Sequence, residues 1–337
     1  MSDRPSKLIS YSPLRISFGG GGTDISPFID EYGSAVLNTT IDRGVRVKYV
    51  DDGFPLEISS RDFVKSYLIS HERRSSRSVS EKMVDLFSSR NVMSGRVLMN
   101  SDVPPGSGLG SSSALTTSVI NVINNLNGRN ITELELADES FLTERDSLRV
   151  TLGRQDPYAI SVGGFKFMEF QGNNIRIEKF DQHLTFLHVL EKSILLIYTG
   201  KTRESSLALA EQVEKSRIGE KETISRLLSL KSAAYEMRDA VRNEDFHRLA
   251  SLVNRGWEIK KALGSNVTND KIEKIIKIAR SSGAAAARLL GGGSQGFILL
   301  IAEDGKLMEL QDRMAKLSRL VVRVSFDDRG TRIVSRS

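Results

Sequence analysis

The stretch Pro104-Pro-Gly-Ser-Gly-Leu-Gly-Ser-Ser-Ser-Ala114 carries the strongest chemical signal in this chain. It lies between a short apolar run, Val97-Leu-Met99, and the residues Leu115, Val119, Val122, Ile123 and Leu126, which recur at helical spacing. A helix N-terminus presents unpaired backbone N–H groups and a partial positive charge. Gly106, Gly108 and Gly110 let the chain wrap an anion so that those N–H groups point inward. The hydroxyls of Ser107, Ser111, Ser112 and Ser113 add donors and can ligate Mg²⁺. The chemistry predicted is phosphate binding. The loop is not a Walker A element, because no lysine follows its glycines. It is not a dinucleotide fingerprint either, because the spacing and the downstream acid do not fit.

The elements around the loop are expected to hold it. Alternation in Arg15-Ile-Ser-Phe18 and Val45-Arg-Val-Lys-Tyr-Val50 predicts half-buried strands. The helix after the loop should begin near Ser111 and stop at Asn127-Gly128. A second helix is predicted from Thr132 to about Val150, with Thr132 and Glu135 as a capping box. Further on, Ile194–Tyr198, Phe297–Ile301 and Leu320–Val324 read as strands. Between them lie helical segments at about 204–215, 222–241, 246–263 and 270–281. Strands separated by helices in both halves imply an α+β protein. The 337 residues suit two domains, and the boundary is expected near 180, giving 1–180 and 181–337.

Composition narrows the function classes. With no cysteine, the chain has no disulfide, thiolate metal site or thiol nucleophile, which predicts an intracellular protein. His71, His183, His188 and His247 show no ligand spacing. No apolar run reaches the roughly 20 residues of a membrane span, and the first ten residues lack the apolar core of a signal peptide. The net charge of +6 is interspersed. The one basic run, 71–77, is serine-rich and reads as a solvated loop, so neither nucleic acid nor membrane is expected as a partner.

Three motifs in order resemble those of the GHMP kinase superfamily. The 104–114 segment is similar to its second motif, Ser12-Pro-Leu-Arg-Ile-Ser-Phe-Gly-Gly-Gly-Gly-Thr-Asp24 to its first, and Leu289-Leu-Gly-Gly-Gly-Ser-Gln-Gly-Phe297 to its third. Within the superfamily, Arg15 to Asp24, Ala35-Val-Leu-Asn38 with Ile41-Asp42, Gly153-Arg-Gln-Asp156 with Tyr158-Ala159, and Trp257-Glu-Ile-Lys-Lys261 look most like the heptose 7-phosphate kinase and fucokinase-like sugar kinases. The resemblance implies a two-lobed fold with a ribosomal-protein-like N-terminal domain, a ferredoxin-like C-terminal domain and the active site between them. It implies a cytoplasmic, ATP- and Mg²⁺-dependent kinase acting on a sugar or sugar phosphate, most simply at the anomeric hydroxyl of a heptose 7-phosphate. It is compatible with a homodimer. A fucokinase- or galactokinase-type enzyme, a mevalonate-type kinase and a non-catalytic ATP- and sugar-binding regulator stay open as alternatives.

The resemblance also implies residue roles. Residues 105–113 (Pro105, Gly106, Ser107, Gly108, Leu109, Gly110, Ser111, Ser112 and Ser113) would bind ATP. Asp156 would accept or orient the proton of the attacking hydroxyl, and Arg15 would sit beside it. Glu144 and Ser112 would ligate Mg²⁺. Gly21, Gly22, Thr23 and Asp24 would grip sugar hydroxyls, with Gly292 and Gly293 from the third motif. Other readings of the same residues are ordinary. Asp156-Pro157 suits a helix N-cap pair, Asp24 could begin a helix, Glu144 could be an exposed helix charge and Arg15 a strand-surface charge. Trp257 reads as core. Two departures from the family pattern stand out. Pro157 replaces a glutamine and disfavours helical geometry at Asp156, and Gln295 replaces a glycine and would be strained if φ were positive there.

Overall fold

The structure is a computed structural model, and it describes residues 4–60, 65–68, 79–172, 174–200 and 205–337. The basic run at 71–77 lies outside these. The first half holds β1 (Lys7–Gly19), α1 (Phe28–Tyr32), β2 (Ser34–Pro55), β3 (Glu57–Ser60), β4 (Lys65–Leu68), α2 (Val79–Ser88) and β5 (Ser94–Ser101). It continues with α3 (Ser111–Leu126), α4 (Glu133–Leu142), a π-helical turn (Thr143–Ser147), α5 (Gln155–Val162), β6 (Lys166–Gln171) and β7 (Asn174–Lys179). The second half holds α6 (Thr185–Ser193), β8 (Ile194–Tyr198), α7 (Ser205–Arg217), α8 (Lys221–Arg242), α9 (Phe246–Lys261) and α10 (Asp270–Arg280). It ends with β9 (Ala284–Leu289), β10 (Phe297–Ala302), α11 (Leu307–Ala315), β11 (Val321–Val322) and β12 (Arg332–Arg336).

The α+β expectation holds, and the strands form two sheets. The first runs β12-β1-β2-β5-β3-β4, with β6 added along β2 and β7 along β6. All of its pairings are antiparallel except β3 on β5. The second is an antiparallel sheet in the order β11-β8-β10-β9. The expected strand 320–324 shortens to Val321–Val322, a half-buried edge that pairs with β8. The last strand, β12, returns to the first sheet and pairs with β1.

Alternation decides which face of β1 does chemistry. Leu14, Ile16 and Phe18 are fully buried in the main apolar cluster, together with Val119, Ile120 and Ile123 of α3. Period two therefore turns Arg15 and Ser17 to the opposite face, where both line a cavity. Helix α3 begins at Ser111, as predicted, and Gly110 precedes it in the left-handed region at φ 75°. Its C-terminal turn at Asn127 is followed by Gly128 at φ 67°.

The second helix departs from expectation. Its capping box is present, with the Glu135 N–H donating to Thr132 and the Glu135 carboxylate accepting from the Thr132 backbone. Regular α-helix ends at Leu142, however, and the chain widens into the π turn that contains Glu144. A π turn adds a residue to the turn and so rotates the side chains that follow it. Arg149, at φ 56°, then ends the segment. Trp257 is fully buried in a second cluster between α10 and the second sheet, in line with its reading as core.

Candidate active site

The glycine–serine loop is stitched to both sheets. The Arg15 N–H donates to the Leu109 carbonyl at 3.0 Å and the Phe297 N–H to the Ser107 carbonyl at 2.8 Å. At Gly108, φ is +76° and a Cβ would lie 2.5 Å from the Leu290 carbonyl oxygen. The second and third glycine motifs therefore touch backbone to backbone, and only glycine permits the approach.

Arg15 and Asp156 meet as a two-pronged ion pair. Arg15 Nε donates to Oδ1 and Nη2 to Oδ2, both at 2.7 Å, while Nη1 holds the Gly108 carbonyl at 2.6 Å. A bidentate guanidinium fixes the carboxylate plane as well as its position. Asp156 is not the N-cap of α5: the helix begins at Gln155, and Asp156 lies in its first turn. Pro157 is tolerated there because a first-turn N–H has no helical partner to lose.

The N-terminus of α5 is held by Asp24 instead. Its Oδ1 accepts from the Gly22 N–H at 3.0 Å and its Oδ2 from the Gln155 N–H at 2.9 Å. Asp24 does not begin α1, whose N-cap is Pro27. A Cβ at Gly153 would lie 1.8 Å from Asp24 Oδ2, which explains a glycine at that position. Burial is the main influence on the Asp24 carboxyl and raises its pKa.

Glu144 is not an exposed helix charge. It has no exposed surface, and its oxygens accept from Ser112 Oγ at 3.2 Å and Ser113 Oγ at 2.6 Å. Burial pushes its pKa up to about 7 against the opposing effect of the serine hydroxyls. A buried carboxylate facing hydroxyl oxygens is a hard donor set. It suits a hard cation that would also draw oxygens from phosphate and water. No cluster of three or more carboxylate, histidine or cysteine side chains suited to a metal exists among the described residues.

Two cavities flank the 105–113 loop. One, of about 190 Å³, is lined by Pro105, Gly106, Ser111 and Ser112 with the apolar Val45, Met99, Val103 and Leu115. The other, of about 170 Å³, is lined by Arg15, Asp24, Asp156, Lys260 and Arg288, with Gly21, Gly22, Gly291 and Gly292 in its walls. Several of the expected residues are placed differently. Thr23 lines neither cavity; it is buried, and its hydroxyl is engaged at 2.7 Å by both the Gly20 carbonyl and Ser34 Oγ. In the third motif Gly291 and Gly292 line the second cavity and Gly293 does not. Ser107 and Leu109 are buried inside the loop. Gln295 carries no positive φ, which falls instead on Ser294 at 62°, and the Gln295 side chain packs against Gly106.

Sequence reasoning missed Lys260 and Arg288. The Lys260 Nζ, on α9, donates to the Gly291 carbonyl at 2.7 Å, and the Arg288 guanidinium, on β9, donates to the Phe18 carbonyl. A lysine three residues after a core tryptophan shares its helix face and so points inward. That spacing was the available signal for Lys260. Arg288, inside the run Ala284–Leu289, stood out only as a charge in an apolar strand.

Comparison with known proteins follows the same geometry. Residues 78–164 match the model of the GHMP kinases N-terminal domain, and 237–318 match that of the GHMP kinases C-terminal domain. The chain is 30% identical to a D-glycero-alpha-D-manno-heptose 7-phosphate kinase of Campylobacter jejuni, over 96% of this chain and 97% of that one. Its fold is shared with a D-glycero-D-manno-heptose 1-phosphate kinase of Bacteroides thetaiotaomicron (TM-score 0.76, 24% identity, 97% and 99% of the two chains). It is shared equally with a galactokinase of Lactococcus lactis crystallised with galactose (TM-score 0.78, 19% identity, 98% and 96%).

Proposed function

The chain belongs to the GHMP kinase family, and we propose that it transfers the γ-phosphoryl group of ATP to the anomeric hydroxyl of a heptose 7-phosphate. The similarity to a heptose 7-phosphate kinase along nearly the whole chain supports this substrate over fucose, galactose or mevalonate. The carrying observation is the Arg15–Asp156 pair, set in a polar cavity across the 105–113 loop from a second, more apolar one.

The apolar cavity suits the nucleotide base. Pro105, Gly106, Ser111 and Ser112 at its edge, with the N-terminus of α3, would hold the phosphates. Glu144 with Ser112, and with Ser113 as the closer hydroxyl, would hold Mg²⁺, which when bound offsets the negative charge of the phosphates. The sugar would occupy the polar cavity against Asp24, Gly21, Gly22 and Gly292. Asp156 would face its hydroxyl. Because Arg15 already holds both of its oxygens, Asp156 serves first to orient the hydroxyl and then to accept its proton. As the new P–O bond forms, the bond from the γ-phosphorus to the bridging oxygen breaks and ADP leaves.

Intact Asp156 and Glu144 speak for an enzyme over a non-catalytic regulator. The division into 1–180 and 181–337 belongs to the same proposal; the second sheet, drawn from Ile194 to Val322, supports it, whereas β12 crosses back to the first sheet and departs from it. A cytoplasmic location belongs to it as well. Among the described residues no helix is long and apolar enough to cross a membrane. The test is a panel of heptose 7-phosphate, fucose, galactose, mannose and mevalonate with ATP and Mg²⁺, with the product read by NMR. Preferred turnover of heptose 7-phosphate with phosphorus on the anomeric oxygen is expected. Turnover of mevalonate alone, or of no sugar, refutes the assignment.

A further inference from the structure

The polar cavity holds two cations with which no carboxylate among the described residues forms an ion pair. Lys260 is 8% exposed and Arg288 is 2% exposed. Each spends a hydrogen bond on a backbone carbonyl, Lys260 on Gly291 and Arg288 on Phe18, and Arg288 Nε has no partner among the described residues. Among the described residues neither forms an ion pair. Arg15, in the same cavity, is fully engaged by Asp156.

A buried charge without a partner is costly, and two of like sign side by side cost more. Burial, with repulsion from Arg288 and Arg15, lowers the Lys260 pKa to about 7, and burial, with repulsion from Arg15, lowers that of Arg288 to about 10. With Arg15 and Asp156 cancelling, and Lys260 in its ammonium form, the lining residues leave two positive charges against the single carboxylate of Asp24. Uncharged sugar hydroxyls call for donors and acceptors, not for a cationic excess. A phosphate monoester carries the charge that would balance it.

The position of the pair favours the acceptor's phosphate over the donor's. No residue of the 105–113 loop lines the cavity that Lys260 and Arg288 line, and neither cation lines the cavity beside Ser111 and Ser112. We propose that Lys260 and Arg288 bind the phosphate ester already present on the acceptor, so that this cavity selects a phosphorylated sugar over the free sugar. The inference rests on the reading of this cavity as the acceptor site.

The experiment measures kcat and KM for heptose 7-phosphate, free heptose and ATP with wild type, Lys260→Met, Lys260→Arg and Arg288→Met. It adds calorimetric binding of the sugar phosphate and the free sugar without nucleotide. A charged hydrogen bond contributes about 1.5–3 kcal/mol, so Lys260→Met should raise KM and Kd for heptose 7-phosphate by about 10- to 100-fold. The KM for ATP and the Kd for free heptose should not change, and Lys260→Arg should recover most of the loss. Removing an unpaired buried cation should leave the Tm of the ligand-free protein unchanged or higher, so lost affinity is not lost folding.

The groups whose fields reach Lys260 are Arg288, Arg15, Asp24 and Asp156. Its ammonium form is lost as pH rises through its lowered pKa. Wild-type affinity for the sugar phosphate should therefore weaken above about pH 7, while that of Lys260→Arg stays flat. An equal fall in kcat on phosphorylated and free acceptor with unchanged KM would mean that the cations meet the transferring phosphoryl, and it overturns the proposal. Unchanged Kd for the sugar phosphate in both Met variants overturns it too. A wild type that binds no sugar phosphate instead overturns the assigned function.

Discussion

The two cavities beside the 105–113 loop are close in volume and opposite in construction. The cavity beside Ser111, read above as the donor site, takes most of its lining from one run, 99–115, with Val45 and Ser60 added from neighbouring strands. The polar cavity, read above as the acceptor site, gathers 15–17, 21–25, 151–156, 209–212, Lys260 and 288–292 from six places in the sequence. One mixes aliphatic side chains with serine and asparagine, and the other is walled by the Arg15–Asp156 ion pair, Asp24 and two buried cations. A site for a common nucleotide can be carried by a single motif, whereas a site that selects one acceptor depends on how distant elements pack.

Substitutions should separate the two, or show that the separation is false. Asp156→Asn keeps the shape of the acceptor wall but removes the carboxylate charge that Arg15 holds. It should lower kcat by about 10²- to 10⁴-fold while leaving the KM for ATP unchanged, as steady-state kinetics would show. Gly108→Ala attacks the contact between the second and third glycine motifs, where φ is +76° and the Leu290 carbonyl is in the way. It should cost about 1–3 kcal/mol of stability by denaturant melts and raise the KM for both substrates. Ser112→Ala removes one hydroxyl from Glu144 and should raise the Mg²⁺ concentration for half-maximal rate by about tenfold, with little change in the KM for the sugar. The smallest effect is expected at Gln212, whose Nε2 donates to the Gly22 carbonyl at 2.9 Å in the acceptor cavity. Gln212→Ala should lose about 1 kcal/mol, roughly fivefold in the KM for the sugar and nothing in the KM for ATP. A comparable rise in both KM values would mean that the cavities are not independent.

The same contrast explains what the sequence made legible. The strand–loop–helix unit around Ser111 could be read because glycine spacing, capping residues and apolar period are all local. Arg15 and Asp156 were legible through motifs, but their two-pronged contact needs β1 and α5 to come together through Asp24 and Gly22. The interior position of Glu144 depends on a π turn in a segment whose pattern promised regular helix as far as Val150. Thr23 carried the right chemistry and faces the wrong way, because Gly20 and Ser34 claim its hydroxyl. Lys260 and Arg288 left only faint signals, the spacing from Trp257 and a lone charge in an apolar strand, because a buried cation has the same letters as an exposed one.

The return of β12 to β1 bears on how the chain folds. The Lys7 N–H donates to the Ser337 carbonyl and the Ser337 N–H to that of Lys7, each at 3.0 Å, so this edge of the first sheet closes only after the entire second sheet has passed in the sequence. Until then β1, the strand that carries Arg15, offers unpaired backbone to any passing strand. Contacts of such long sequence separation form slowly. A fragment ending near residue 180 would keep that edge bare and be prone to self-association, which ties the integrity of the strand that carries Arg15 to residues 332–337.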